Sequence, residues 1–254
     1  MRILLVSDIH ANPLALDAIR EEFDICLCIG DLVDYGVDPV PCIDWVRQHA
    51  RYAVRGNHDH GVAQRVHVQG VGGFRYLTGV TRPISIERVT GPDRRYLADL
   101  PTTQMLTLNG KRFFLVHGTP RDPLDEFALP DAEFWKRRLQ HIDADYVCVG
   151  HTHVQYIVQA GDATVINPGS VGLPRDGDPR AAYAIITDDG PELKRVEYPV
   201  ADAIAAIGQA ELPDQAKQLL ADVMRTGRIG KNGNGEVGLN GPPSNGEVPP
   251  LNLQ

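Results

Sequence analysis

Aspartate, asparagine and histidine close five short apolar runs in this chain, and these are the side chains that hold divalent metals. Asp8 and His10 end "LLVSDIH", Asp31 follows "CLCIG", Asn57 follows "AVRG", His117 ends "FLVH", and His151 and His153 end "YVCVGHTH". Asp8 and His10 stand two positions apart, as do His151 and His153, so in an extended segment each pair projects to one side. Gly30, Gly56 and Gly118 sit directly beside Asp31, Asn57 and His117 and open the backbone there. Each residue alone has an ordinary reading as a helix cap, a turn residue or a surface histidine. Five strand ends bearing only oxygen and imidazole donors are poorly explained that way. The donor set suits a pair of divalent transition metals, manganese, iron, zinc or nickel, better than calcium.

The elements that must carry these residues read as α/β. Strand-like runs recur at "RILLVS", "ICLCIG", "YAVRG", "RFFLVHG" and "YVCVG", with helical patterns between the first three. Asn12 with Pro13, and Asp38 with Pro39, punctuate the starts of two helices, and a third helix is expected from Pro130 to about His141. Asn109-Gly110 and Gly161-Asp162 mark tight hairpins, and "AAYAIIT" and "LKRVEYPV" add antiparallel strands. The expected result is one mixed sheet or two sheets packed together, sandwiched by helices. Glycines at 70, 72, 73 and 79 interrupt weak helical patterns, so residues 60–104 read as a loop-rich excursion with some helix near the site. Two short helices follow over 200–227. Residues 228–254 are rich in Gly, Asn and Pro and read as a disordered tail, leaving residues 1–227 as the globular domain.

The net charge of −8 and pI near 5.5 offer no general nucleic-acid footprint. Cys26, Cys28, Cys42 and Cys148 form no C-x-x-C motif and read as small apolar filler in a reducing compartment. The chain opens strand-like at residue 2, and no apolar run reaches membrane-spanning length, so a cytoplasmic, soluble protein is expected.

Taken in order, "SDIH", "IGDLVD", "RGNHD", "VHG" and "GHTH" resemble the signature of the calcineurin-like metallophosphoesterase superfamily over about residues 1–200. "GDLVDYG" and "INPGSVG" look closest to its small bacterial phosphodiesterase branch, which acts on diesters and dinucleoside polyphosphates. The resemblance implies a four-layer α/β/β/α sandwich, a small phosphate-ester or nucleotide substrate, and two divalent metals, manganese foremost. It assigns Asp8, His10, Asp31 and His153 to one metal and Asp31, Asn57, His117 and His151 to the other, with Asp31 bridging. A metal-bridging hydroxide would then attack phosphorus. Two divalent ions, two aspartates and that hydroxide leave one formal positive charge to attract a phosphate.

His58 is then free to serve as general acid, with Asp59 either orienting its ring or acting as a turn residue. Arg175 suits a phosphate clamp or a surface ion pair, and Asn12 a helix cap or a substrate contact. His60 and His67 fall in the excursion, at the mouth of the site or in solvent. Phosphomonoesterase and protein serine/threonine phosphatase share this chemistry and stand as alternatives, as does a non-catalytic scaffold of the same fold.

Overall fold

A computed structural model describes residues 1–229. In chain order it contains β1 (Ile3–Val6), α1 (Pro13–Asp17), β2 (Ile25–Cys28), α2 (Pro39–His49), β3 (Ala50–Ala53), α3 (Asn57–Ala63), α4 (Gly73–Arg88), α5 (Gly91–Asp99) and β4 (Thr103–Leu108). The second half holds β5 (Lys111–Val116), α6 (Ala132–Arg138), β6 (Tyr146–Cys148), β7 (Gln155–Ala160), β8 (Ala163–Pro168), β9 (Ala181–Thr187), β10 (Gly190–Val196), α7 (Val200–Gln209) and α8 (Asp214–Thr226). One five-stranded sheet runs β10-β9-β1-β2-β3 and the other β4-β5-β6-β8-β7. Each has a parallel centre, β1-β2-β3 and β5-β6-β8, extended by antiparallel strands. The expected pair of mixed sheets flanked by helices is what forms.

Alternation along the strands sorts side chains into three cores. Ile3, Leu5, Leu27 and Ile29 meet Phe113, Leu115, Cys148 and Ile166 between the sheets. Their neighbours Leu4, Val6, Cys26 and Cys28 face the helices over the first sheet. Phe114, Val116, Val147 and Val165 pack with Trp135 of α6 on the outside of the second. A residue shared between two faces in this way fixes register, because a one-residue slip would exchange the two cores. All four cysteines are buried and unpaired.

Local signals behave largely as their chemistry dictates. Asn12 caps α1, its side chain accepting from Ala15 N–H, and Asn109 and Gly110 take the left-handed conformation that their hairpin turn requires (φ 47° and 75°). Asp38 precedes α2 without a side-chain cap bond, and the third expected helix is shorter than anticipated, Ala132–Arg138, capped by Asp131. The larger difference lies in residues 60–104, expected to be loop-rich. They are mostly helical, with α4 alone spanning 16 residues. Its buried positions, Leu77, Thr78, Thr81, Arg82 and Ser85, have helical spacing but are mostly polar, which hides them from a reading of apolar periodicity. α8 ends at Gly227, and the expected tail lies outside the described residues except for 228–229. No helix among the described residues is long and apolar enough to cross a membrane.

The inter-sheet core therefore holds the two parallel centres in register at the edge where their carboxyl ends emerge. Leu27, fully buried there, tests this. Leu27→Ala is expected to lower unfolding free energy by about 2–5 kcal/mol, read as a reduced urea midpoint at unchanged m-value.

Candidate metal centre

Every candidate ligand lies just beyond the carboxyl end of a parallel strand. Asp8 and His10 follow β1, Asp31 follows β2, Asn57 opens α3 after β3, His117 follows β5, and His151 and His153 follow β6. Their donor atoms form two groups, Asp8, His10 and His153 in one and Asp31, His117 and His151 in the other, the atoms of each group lying within 4.8 Å of one another. His151 and His153 thus part company and serve adjacent groups, where an extended strand would have aimed both at one point. The reason is backbone geometry. Asp8, His10, Asp31, His151 and His153 have φ between 50° and 67°, and they account for five of the ten non-glycine residues with positive φ among the described residues. This sparsely populated region is held where surrounding structure over-determines it, commonly at functional sites.

Each carboxylate has one oxygen tied and one exposed to the group. Asp8 Oδ2 accepts from Ser7 Oγ (2.6 Å) and His151 N–H (3.1 Å), leaving Oδ1 at 3.2 Å from His153 Nε2. Asp31 Oδ1 accepts from His58 N–H (2.9 Å), leaving Oδ2 at 3.1 Å from His117 Nε2 and 3.8 Å from His10 Nε2. Asp31 Oδ2 thus stands between the two groups. Gly56 is required for this approach, since a Cβ there would lie 2.0 Å from Asp31 Oδ1.

Carbonyl partners fix the imidazole tautomers. His10, His117 and His153 each present Nδ1 to a backbone carbonyl, of Val33 (2.8 Å), Ile29 (2.6 Å) and Leu173 (2.6 Å). A carbonyl only accepts, so Nδ1 carries the proton and Nε2 turns a lone pair inward. His10 Nε2 and His153 Nε2 then face each other at 3.0 Å, an arrangement that calls for a cation between them. Asp8 Oδ1, Asp31 Oδ2, Asn57 Oδ1 and His117 Nε2 are all buried without a hydrogen-bond partner. Unsatisfied polar atoms of this kind are rare, and three of these four belong to residues of the two donor groups, which fits two divalent cations well.

Charge balance leads the same way. Burial pushes the Asp8 carboxyl up, but His153, His10 and His117 outweigh it and hold Asp8 well below its usual range. Burial disfavours a charged His117, yet Asp31 and Asp8 raise it to about 10. Burial, reinforced by the His117 charge, brings His151 down to about 4. The site demands positive charge beside Asp31, while burial disfavours charge on His151 and His153 and leaves those two imidazoles neutral and able to bind metal.

Asp59 departs from the ring-orienting role offered for it, Asp34 takes that role, and Asn12 keeps its helix-cap reading. Asp59 does not touch the His58 ring: its Oδ2 accepts from Asp31 N–H (2.7 Å) and Gly56 N–H (3.0 Å), and its Oδ1 from Leu32 N–H (2.8 Å). It braces the loop that presents Asp31, and burial together with the Asp31 charge raises its carboxyl to about 7. The partner of His58 is Asp34, whose Oδ2 lies 2.7 Å from His58 Nδ1. Asp34 stood in the quoted "GDLVD", but only its left-handed φ of 66° turns it toward His58. Asn12 makes no contact a substrate could replace, because its Oδ1 caps α1 and its Nδ2 donates to Gly172 O (3.0 Å).

Arg175 does reach the site. Its N–H donates to His153 O (3.2 Å), its guanidinium lies 3.6 Å from the Phe74 ring centroid and 5.3 Å from that of Tyr35, and its Nε is buried without a partner. Stacking fixes the guanidinium plane while leaving its edge free for oxygen. His60 is half-buried on α3, and His67 is exposed. "INPGSVG" proves to be a brace: Asn167 Nδ2 donates to Gly150 O (2.8 Å) and Thr152 Oγ1 (3.0 Å), and Ser170 Oγ donates to Asp8 O (2.7 Å).

The chain is similar to proteins already known. The calcineurin-like phosphoesterase superfamily domain matches residues 1–190. A metallophosphoesterase from Sphaerobacter thermophilus is 31% identical in its crystal structure, with a TM-score of 0.74 over 89% of this chain and 99% of that one. An uncharacterized protein of Methanocaldococcus jannaschii is 28% identical over 84% of this chain and 94% of its own length. The phosphodiesterase YfcE of Escherichia coli is 25% identical over 74% of this chain and 89% of its own length. The chain belongs to the calcineurin-like phosphoesterase superfamily.

The position of Asp31 between the two groups yields a direct test. Asp31→Asn should lower bound manganese at both positions after reconstitution, whereas His10→Ala should lower it at one. Elemental analysis of desalted protein checks this, and equal losses from the two variants would contradict it.

Proposed function

We propose that this member of the superfamily is a dinuclear metal-dependent phosphoesterase that hydrolyses phosphodiesters or dinucleoside polyphosphates. The observation that carries the reading is the buried, unpartnered Asp31 Oδ2 set between two histidine-rich donor groups. Asp8, His10, Asp31 and His153 would hold one ion, and Asp31, Asn57, His117 and His151 the other, manganese being the expected metal. Bound there, the ions supply Lewis acidity toward the phosphoryl oxygens and an acidified water. A cytoplasmic setting belongs to the same proposal and rests on the four buried, unpaired thiols.

The chain's own groups divide the remaining work. His58 holds a proton at Nε2 and delivers it to the departing oxygen, while Asp34 accepts from Nδ1 and keeps the ring in that orientation. Nε2 lies 4.0 Å from Asp31 Oδ2, so the ring edge faces the centre. Arg175 offers its guanidinium edge to a non-bridging phosphoryl oxygen. Asp59 keeps Asp31 in place through backbone N–H groups and takes no part in the proton transfer.

Substrate class follows from how few cations remain uncommitted. Arg82 is paired with Asp34 (2.6 Å), and a terminal nitrogen of Arg55 donates to Ala98 O (2.9 Å), whereas Arg175 stands at the site with its Nε unpartnered and is the guanidinium best placed to meet phosphate. One formal positive charge and one guanidinium suit a singly charged diester better than a dianionic monoester. The likeness to a phosphodiesterase at 25% identity supports the same choice.

Manganese-loaded protein should therefore hydrolyse bis-nitrophenyl phosphate with higher kcat/KM than nitrophenyl phosphate, and chelation should abolish both activities. A monoester preference beyond about tenfold, equivalent to roughly 1.4 kcal/mol, would overturn the substrate assignment. His58→Ala should retain metal but slow release of an alkoxide by roughly 10²–10⁴, and slow release of nitrophenolate far less, because a good leaving group needs little protonation. Equal losses on both substrates would refute the acid role.

A further inference from the structure

Helix α4 supplies no candidate ligand, yet its buried polar face grips the segment that supports His58. Ser85 Oγ accepts from Asp34 N–H (3.1 Å), and Thr81 Oγ1 accepts from Tyr35 N–H (3.0 Å). Thr78 Oγ1 donates to Tyr35 Oη (3.0 Å), and the Arg88 guanidinium donates to Val37 O (2.6 Å). Asp34 and Tyr35, the residues so held, are both left-handed, with φ of 66° and 58°. At the centre of this face Arg82, only 3% exposed, donates from Nε to Asp34 Oδ2 (2.6 Å) and from its terminal nitrogen to Val66 O (3.0 Å).

Asp34 Oδ2 is thus shared between two donors, Arg82 Nε and His58 Nδ1, while Oδ1 is buried without a partner. Two hydrogen bonds from different directions to one oxygen fix the plane of the carboxylate, and that plane sets the tilt of the imidazole. The guanidinium reaches this oxygen only by crossing α3 at Gly61, where a Cβ would lie 1.8 Å from an Arg82 nitrogen. The absence of a side chain at Gly61 and the length of Arg82 are therefore matched.

We infer that Arg82 is a positioning residue for proton delivery: by fixing Asp34 it holds His58 with Nε2 turned toward the reacting phosphate. The inference rests on the reading of His58 as general acid. In that step the Nε2–H bond breaks as the O–H bond of the leaving group forms, and the P–O bonding pair goes to that oxygen. Arg82 touches neither phosphate nor metal and acts only through Asp34 and His58. α4, far from being a passive covering, then carries the outermost part of the acid.

A double-mutant cycle with His58 separates this role from a merely structural one. The probes are a nucleoside aryl diester and a nucleoside alkyl diester, assayed with manganese-loaded full-length protein whose metal content and near-ultraviolet dichroism match the parent. Arg82→Gln should slow cleavage of the alkyl diester at least about tenfold and that of the aryl diester less than about threefold, since only the former needs a well-placed proton. In the His58→Ala background the same substitution should change either rate by less than about twofold, because the group it positions is gone. Arg82→Lys, which keeps the charge but not the two-directional donors, should fall between parent and Arg82→Gln, and it carries the test if Arg82→Gln fails to fold. Equal slowing of the two substrates, or an undiminished effect in the His58→Ala background, would overturn the inference while leaving the acid reading intact. A His58→Ala variant without leaving-group dependence would instead overturn the acid reading, and the inference with it.

Discussion

Four carboxylates buried at the meeting of two sheets set the terms for the rest of the structure. Asp8, Asp31, Asp34 and Asp59 are each fully shielded from water, while Arg82 is the buried guanidinium beside them. Burying charge at this density is unfavourable unless every oxygen finds a donor or a cation. Backbone N–H groups supply much of what is needed: Asp59 takes three, and Asp31 and Asp8 take one each. What they leave over, chiefly Asp8 Oδ1 and Asp31 Oδ2, defines where positive charge belongs. The centre is thus shaped by the negative charge that hydrogen bonding leaves uncancelled as much as by the histidines around it.

Holding those donors in place strains the backbone. A left-handed non-glycine residue costs on the order of 1–3 kcal/mol, a large sum over five candidate ligands when a domain's net stability is about 5–15 kcal/mol. The strain persists because the loops are over-determined from outside. His10 N–H donates to Asp31 O, Asp8 N–H to Gly30 O, and Gly150 N–H to His117 O, so the loops of each sheet are laced to their neighbours. Asn167 and Ser170 then tie the loops after β6 and β1 to the end of β8 and the segment that follows it. The apolar core between the sheets is what keeps these loops in contact at all. Its strands point only one face each into that core, leaving the other to the helices, so neither sheet could be removed without dismantling the site.

Much of this was legible in sequence because ligands at strand ends are a local pattern. Donor types, two-position spacings and flanking glycines singled out the seven candidate ligands, while strand and hairpin signals left one mixed sheet or two open and the family resemblance implied the layered pair. The errors arose where an outcome depended on backbone turns that no short window reveals. His151 and His153 stand two positions apart, and left-handed φ values send them to different groups, as the family resemblance implied and strand spacing alone did not. Asp59 follows His58 directly, but α3 begins at Asn57, and a helix rotates successive side chains about 100° apart. Asp59 therefore turns back to Gly56 N–H in a capping arrangement and away from the imidazole. Asp34, 24 positions before His58, takes the vacated role through a loop conformation that its sequence does not advertise.

The same logic explains why α4 was the least readable element and why it matters. A helix that buries threonine, serine and arginine has the correct period with the wrong chemistry for a hydrophobic pattern, and Pro83 and an N-terminal glycine weaken its intrinsic propensity further. Such a helix gains its stability from specific partners, here the backbone of residues 34–37, and would lose much of its buried polar satisfaction without them. Its other contribution is Phe74, on which the Arg175 guanidinium rests. The strand-end loops and α4 thus answer to different requirements: the loops must match metal geometry closely, whereas α4 has only to hold Asp34 and Arg175. Within such an architecture, changes in α4 can retune proton delivery and phosphate contact while the donor groups stay as they are, because the two are joined through Asp34 and His58 and share no ligand.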